Sequence, residues 1–271
     1  MHRSALYVPA DNTRALEKAR ILTPDVLILD LEDGVAPEHK TRARENVREA
    51  LASLHGRRVV VRMNGLDTPW GDDDLQLLLE LGPHAIMLPK AEKVEDVRSL
   101  SVSVPVWLTI ETPLGVLRAE ELARERGVAC LVMGTSDLVT DLRAKAAPNR
   151  EALLYALSHV VLVARAYGRV VLDGVSLDVQ DMQGFEAQCQ QGRALGFDGK
   201  TLIHPSQIEP CHRVFGPTED DVGRAHELLA VWKEARAGGK SVAVLHGRLV
   251  ENLHAAEARE VLRLAEELER N

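Results

Sequence analysis

Short apolar runs recur through the first 205 residues, each closing on a charged or turn-forming position. Ala5-Leu6-Tyr7-Val8 stops at Pro9, Val26-Leu27-Ile28-Leu29 at Asp30, Val59-Val60-Val61 at Arg62, and Ala85-Ile86-Met87-Leu88 at Pro89-Lys90. Val106-Trp107-Leu108-Thr109-Ile110 then leads to Glu111, and Cys130-Leu131-Val132-Met133 to Gly134-Thr135-Ser136-Asp137. Val170-Val171-Leu172 ends at Asp173, and Gly199-Lys200-Thr201-Leu202-Ile203 at His204. Such runs lack polar alternation and are rich in β-branched residues, so they read as strands buried on both faces. The stretches between them carry helical periodicity. Residues 13–21 predict a short helix with Leu16 and Ala19 inward, and 40–54 a basic, alanine-rich one. Asp72, Asp73 and Asp74 place negative charge in the first turn of the next helix, favourable against its dipole. The most periodic segment is 149–167, apolar at Leu153, Leu154, Leu157, Val160, Val161 and Ala164, with Asn149 as the expected cap.

Eight strands alternating with helices predict an α/β protein of the (β/α)8 TIM-barrel kind. A barrel of about 250 residues allots roughly 31 to each unit, and the strand ends are spaced accordingly. Residues 1–215 are expected to form the catalytic barrel and 216–271 a C-terminal helical extension acting as a lid or oligomerisation arm. Past Phe215-Gly216-Pro217, Thr218 with Asp221 three residues on resembles a capping box. Val222, Ala225, Leu229 and Trp232 mark the helix that follows, which breaks at Gly238-Gly239. A short apolar piece at 242–245 precedes a last helix from about 251 to 268.

Aromatic residues make up only 3% of the chain, so the core must be built from aliphatic side chains. A net charge of −8 argues against a nucleic-acid-binding surface. Cys130, Cys189 and Cys211 have no metal-type spacing and fit core packing in a reduced, cytoplasmic protein. Neither a signal-peptide core nor a membrane-length apolar run is apparent, so no membrane partner is expected.

Functional side chains of a TIM barrel gather at the C-terminal strand ends. Here those ends offer Asp30, Glu32, Asp33, Arg62, Lys90, Glu92, Glu111, Asp137, Asp173 and His204. Taken singly, an acid after a strand is more often a cap or an ion-pair partner, and Glu32-Asp33-Gly34 could be only a turn. Lys90 reads more simply as a counter-ion than as a Schiff-base lysine, and His204-Pro205 as structural. Together they form an acidic ring that a hard divalent cation, Mg2+ or Mn2+, would neutralise.

Several of these segments carry a resemblance. Tyr7-Val8-Pro9-Ala10, Leu29-Asp30-Leu31-Glu32-Asp33-Gly34, Val61-Arg62-Met63-Asn64 and Met87-Leu88-Pro89-Lys90-Ala91-Glu92 resemble the citrate lyase beta-subunit-like proteins of the HpcH/HpaI aldolase group. So do Ile110-Glu111-Thr112, Gly134-Thr135-Ser136-Asp137-Leu138, Gly196-Phe197-Asp198-Gly199-Lys200 and Ile203-His204-Pro205-Ser206. The resemblance implies a TIM barrel and Mg2+-dependent carbon–carbon lyase chemistry on citryl-, malyl- or citramalyl-CoA-like thioesters. The products would be a 2-oxo acid and acetyl-CoA. It also implies Glu111 and Asp137 as metal ligands, Arg62 as the substrate-binding arginine, and a homo-oligomer, a trimer or a multiple of one. Glu32, Asp33 and Lys90 join Arg62 and Glu111 as expected substrate-binding residues. Two positions depart from the family pattern: Ala10 replaces a glycine, and Glu251 stands where an aspartate serves some members as an acid in a neighbouring subunit's site. Glu251 is accordingly expected among the catalytic residues with Arg62, Glu111 and Asp137. The alternatives are a Mg2+-dependent aldolase on free 2-oxo acids and a non-catalytic acyl-carrier-binding lyase subunit.

Overall fold

Each apolar run forms a strand, and the eight close into a parallel barrel in chain order: β1 (Ser4–Pro9), β2 (Val26–Asp30), β3 (Val59–Arg62), β4 (Ala85–Leu88), β5 (Val106–Ile110), β6 (Val128–Met133), β7 (Val170–Asp173) and β8 (Gly199–Leu202). The structure is a computed structural model that describes residues 2–100, 104–145 and 147–269. β8 closes on β1 with Lys200 opposite Ser4. Side chains alternate across each strand, and one set fills the interior: Ala5, Val26, Ile28, Val60, Ala85, Met87, Trp107, Cys130, Val132 and Leu172 form one buried cluster. Trp107 is the large side chain of this aliphatic interior and is 2% exposed. Every position of β2, β4 and β5 is buried, as strands covered on both faces require. The register sets Pro9 beside Asp30 and Asp30 beside Arg62, so charged strand ends share one layer.

One expectation fails locally, and one residue does more than expected. Asn149 caps no helix: the α-helix is Leu154–Ala166, preceded by a 3-10 turn, Glu151–Leu153. Arg150 adopts a left-handed conformation (φ +53°), and the Asn149 amide donates to Glu151 Oε1 at 2.6 Å. The cause is tertiary, because Arg150 reaches Asp173 with Nη1 at 2.7 and 2.8 Å and Gln191 with Nε at 2.7 Å. Asp74 is more than a first-turn charge of the helix Gly71–Leu81. It is fully buried, accepting from Arg44 Nε at 2.6 Å and from Asn64 N at 2.9 Å.

The described chain separates into two compact units, His2–Cys211, which holds the barrel, and a second that starts at His212. In the second, the helix Glu219–Ala237 starts with the expected capping box between Thr218 and Asp221. The apolar piece after Gly239 is one strand of a hairpin, β9 (Ala243–Leu245) against β10 (Arg248–Val250). His246 (φ +49°) and Gly247 (φ +75°) form its two-residue turn. Trp232, Ala243, Val250 and Ala255 make this unit's own core, closed by the helix Asn252–Glu269. All three cysteines are buried. Among the described residues no helix is long and apolar enough to cross a membrane.

The barrel wall contains a closed ionic triad. Asp173 accepts from Arg150 and from Lys200 Nζ at 2.9 Å, and both Asp173 and Lys200 are fully buried. Burial alone would raise the Asp173 carboxyl, but the two cations outweigh it and hold the carboxyl below its usual range. Asp173→Asn leaves two buried cations without a counter-charge. The expected cost is about 3–5 kcal/mol, read as a fall of roughly 10 °C in Tm. A melting curve that superposes on the wild type would show the triad to be dispensable.

Candidate active site

Alternation along β5 sends Trp107, Thr109 and, just past the strand, Glu111 to one face, the barrel interior. The same parity turns Asp30 and Arg62 inward above Ile28 and Val60. A cavity of about 350 Å³ opens at this end, its wall including Tyr7, Asp30, Asp33, Arg62, Thr109, Glu111, Asp137 and Thr201. Five of the strand-end candidates, Asp30, Asp33, Arg62, Glu111 and Asp137, therefore line one cavity. Glu32 and Lys90 join them through ion pairs.

Arg62 is the centre of this cluster. Its Nε and Nη2 donate to the two Asp30 carboxylate oxygens, each at 2.7 Å, a fork that only a guanidinium makes. Its Nη1 lies 2.8 Å from Glu32 Oε2, an ion-pair contact without hydrogen-bond geometry. The Arg62 guanidinium carbon stands 4.8 Å from the Tyr7 ring centre, adding a cation–π contact. Burial works against the Arg62 charge, yet Asp30, Tyr7 and Glu32 keep its pKa well above the usual value. Asp30 is saturated in turn, also accepting from Glu32 N and Gly34 N, both at 2.9 Å.

Glu111 is 3% exposed, and burial pushes its carboxyl up to about 8. The Lys90 backbone N–H, 2.7 Å from Oε1, opposes that rise, while repulsion from Glu32 and Asp137 adds to it. A side chain at Gly134 would overlap the Glu111 side chain, which is why the residue just past β6 carries none. Burial also raises the Glu32 carboxyl against the pull of Arg62. Lys90 Nζ lies 3.4 Å from Glu32 Oε1; burial would lower its pKa, but Glu32, Asp33 and Glu111 raise it. Among the described residues the buried Thr109 hydroxyl at the cavity has no hydrogen-bond partner.

Beneath the cluster lies a buried support that strand-end reasoning missed. Lys40 Nζ donates to the carbonyls of Leu31 (2.7 Å) and Glu32 (2.8 Å) and to Asn64 Oδ1 (2.7 Å). Asn64 in turn donates to the Leu31 carbonyl and, at 2.6 Å, to Asp74. This lattice fixes the 31–32 backbone and so aims Glu32 at Arg62. Nothing in the sequence separates Lys40 from the other cations of the helix Lys40–Ser53, whereas Asn64 is legible two residues past Arg62.

The remaining candidates lie elsewhere. Asp173 belongs to the buried triad, Glu92 accepts from the Thr112 hydroxyl at 2.6 Å, and His204 caps the 3-10 turn Pro205–Gln207. Glu251 is in the second unit, where its N–H donates to His254 Nδ1 at 3.0 Å. Ala10 is fully buried, its carbonyl accepting from Asn46 at 2.7 Å.

A parallel barrel with a buried carboxylate, a second acid and a clamped arginine at its C-terminal mouth defines a class of TIM-barrel enzyme sites. The chain belongs to the HpcH/HpaI aldolase/citrate lyase family, whose profile matches residues 3–205. It is 42% identical over 269 residues to a (3S)-malyl-CoA thioesterase of Cereibacter sphaeroides, covering 97% of this chain and 94% of that one. It is 33% identical over 282 residues to the citrate lyase subunit beta of Escherichia coli, covering 97% and 93%. Among solved structures, CitE of Mycobacterium tuberculosis, in complex with magnesium, acetoacetate and coenzyme A, aligns with a TM-score of 0.83. The identity is 31% over 97% of both chains.

The donor set suits a hard cation. Besides Asp30, which is saturated by Arg62 and two backbone N–H groups, three carboxylates line the cavity, Asp33, Glu111 and Asp137, and Arg62 is already committed to Asp30 and Glu32. Among the described residues no three ligating side chains converge, so a metal would be held by two carboxylates and completed by water or substrate. Without a cation, Glu111 is a buried acid whose folded pKa exceeds its ordinary 4.5. Its contribution to stability is present below 4.5 and lost as the pH rises through about 8. The metal-free protein should therefore lose Tm across this window, and Glu111→Gln should flatten the loss. Identical pH–Tm profiles for the two proteins would contradict the burial argument.

Proposed function

We propose that this protein is a Mg2+-dependent carbon–carbon lyase. It would cleave, or form, a CoA thioester of the citryl-, malyl- or citramalyl-CoA kind, whose hydroxyl-bearing carbon is β to the thioester carbonyl and carries a free carboxylate, with a 2-oxo acid and acetyl-CoA as the other side of the reaction. The observation that carries this reading is the convergence of buried Glu111, Asp137 and the clamped Arg62 on one cavity. Glu111 and Asp137 would hold the Mg2+, which when bound would polarise the substrate's carboxylate and 2-oxygen.

The chain's own residues supply the rest. Arg62 has five N–H donors, of which its hydrogen bonds to Asp30 engage two, the Glu32 contact being an ion pair without hydrogen-bond geometry. The remaining N–H groups are available to an oxygen on which negative charge grows as the carbon–carbon bond breaks. The unpartnered Thr109 hydroxyl offers a further polar contact to a ligand in the cavity. Lys90, 55% exposed, presents its amine at the rim to an anionic substrate. Asp33, exposed, lines the same cavity, whereas Glu32 is tied to Arg62 and Lys90.

Residues 1–215 would be the catalytic domain. Residues 216–271 would form a lid and oligomerisation arm of a homo-oligomer, a trimer or a multiple of one, with Glu251 serving a neighbouring subunit's cavity. Val244 and Leu249, cross-strand partners on the hairpin, are 64% and 54% exposed and give the arm an apolar face to bury. The buried free cysteines accord with a cytoplasmic setting.

A second reading is thioester hydrolysis, favoured by the 42% identical relative named as a thioesterase. Product analysis separates the two. From malyl-CoA, lyase action yields glyoxylate and acetyl-CoA, whereas hydrolysis yields malate and a free thiol. Incubation with citryl-, malyl- and citramalyl-CoA should release 2-oxo acid only when Mg2+ is present. Free thiol without 2-oxo acid would replace the lyase by the hydrolase. Arg62→Lys, which cannot form the fork, should lower kcat at least ~10-fold, about 1.4 kcal/mol of transition-state stabilisation. Undiminished turnover in that variant would make Arg62 a bystander.

Deletion of the chain after Ala237 tests the arm. Light scattering should show a weakened oligomer and the assay a parallel loss of activity, with the barrel's circular dichroism retained. A fully active monomer would reduce the segment to a decorated terminus.

A further inference from the structure

β4 ends at Leu88, and the next residue is Pro89. Proline has a fixed φ and no N–H, and it keeps the residue before it extended. The first backbone donor past the strand is therefore that of Lys90. Lys90 turns the chain with a φ of +46°, in the left-handed region that side chains bearing a Cβ rarely enter. The turn aims its N–H at Glu111 Oε1, 2.7 Å away. The next N–H, of Ala91, returns to the Thr109 carbonyl at 3.1 Å, so the turn is tied to β5 on both sides of Glu111's own strand end. Arg143 and Arg150 are also left-handed, but their N–H groups go to backbone carbonyls in their own turns. Gly134 leaves the space that the rest of the Glu111 carboxylate fills, so this acid is confined from two sides.

We propose that Lys90 is a positioning residue that serves the metal site through its backbone. Its left-handed turn holds Glu111 in the orientation that binds a divalent cation, independently of its amine. The inference rests on the reading of Glu111 as a metal ligand. Side chain and backbone are separable here because the amine leaves the turn, reaching 3.4 Å from Glu32 Oε1 with more than half of the side chain exposed. Glycine and asparagine accept the left-handed region without the amine. Valine, branched at Cβ, resists it.

The test is Mn2+ binding to the metal-free protein, followed by the electron paramagnetic resonance of free Mn2+, with circular dichroism as a check of folding. Lys90→Gly and Lys90→Asn should bind Mn2+ within about threefold of the wild type, because both can keep the turn. Lys90→Val should weaken binding at least ~10-fold, equivalent to about 1.4 kcal/mol. If the valine variant does not fold, Lys90→Ala serves instead, with a loss greater than that of Lys90→Gly. Equal affinity in the glycine and valine (or alanine) variants would overturn the inference, whether both bind normally or both fail. A wild-type protein that takes up no Mn2+ would overturn the ligand assignment of Glu111 itself, a result distinct from any ordering among the variants.

Discussion

The guanidinium of Arg62, gripped by both oxygens of Asp30 and touched by Glu32, is the interaction on which the mouth of the barrel depends. A buried cation is costly unless it is paired and hydrogen-bonded, and a fork on a carboxylate meets both conditions. The register of β2 on β3 sets the two residues side by side, so the sheet builds the clamp before any loop is placed. The 31–34 loop then wraps around the Asp30 carboxylate through the N–H groups of Glu32 and Gly34. Lys40 pins the carbonyls of the same loop from below. Arg62 is thereby presented to the cavity in one orientation, with donors to spare.

Two ionic systems coexist in the barrel, and their difference is instructive. The Arg150–Asp173–Lys200 triad is sealed in the wall, two cations around one carboxylate that accepts from both. Such a closed network suits a structural role. The cavity at the mouth has the opposite balance, several carboxylates around a committed arginine, with Glu111 driven toward its neutral form. An acidic surplus in a buried setting favours uptake of a cation. That gives the family's known structures with magnesium a physical counterpart in this chain.

On the proposed reading, lyase and thioesterase would share the same bound thioester and differ in what attacks or leaves it. Hydrolysis needs water at the thioester carbonyl; carbon–carbon cleavage is protected by its exclusion. The feature that would decide between them is then the cover over the cavity rather than the residues within it. The identity of 42% to a thioesterase and 33% to a lyase subunit, each across nearly the whole chain, accords with one scaffold serving both.

The strands were legible in the sequence because an uninterrupted β-branched run has few other stable states in a folded chain. The tail's first helix was legible too, since Thr218 and Asp221 satisfy backbone donors locally. So was the set of charged strand ends, and the family resemblance singled out Arg62, Glu111 and Asp137 among them. What the chain alone left open was which ends point inward. A strand apolar on both faces gives no sign of its parity: Leu172 turned out to face the interior, which sends Asp173 outward into the wall, while Ile28 and Asp30 share the inner face. Tertiary contacts also took Arg150 away from an ordinary helix start, buried Asp74 and Lys40, and bent Lys90 into a left-handed turn. Each of these depends on a partner about 20 or more residues away or on the other side of a turn, and local propensity contains no information about such partners. Local sequence determined the elements and their chemistry; only the closed barrel decided which charges meet.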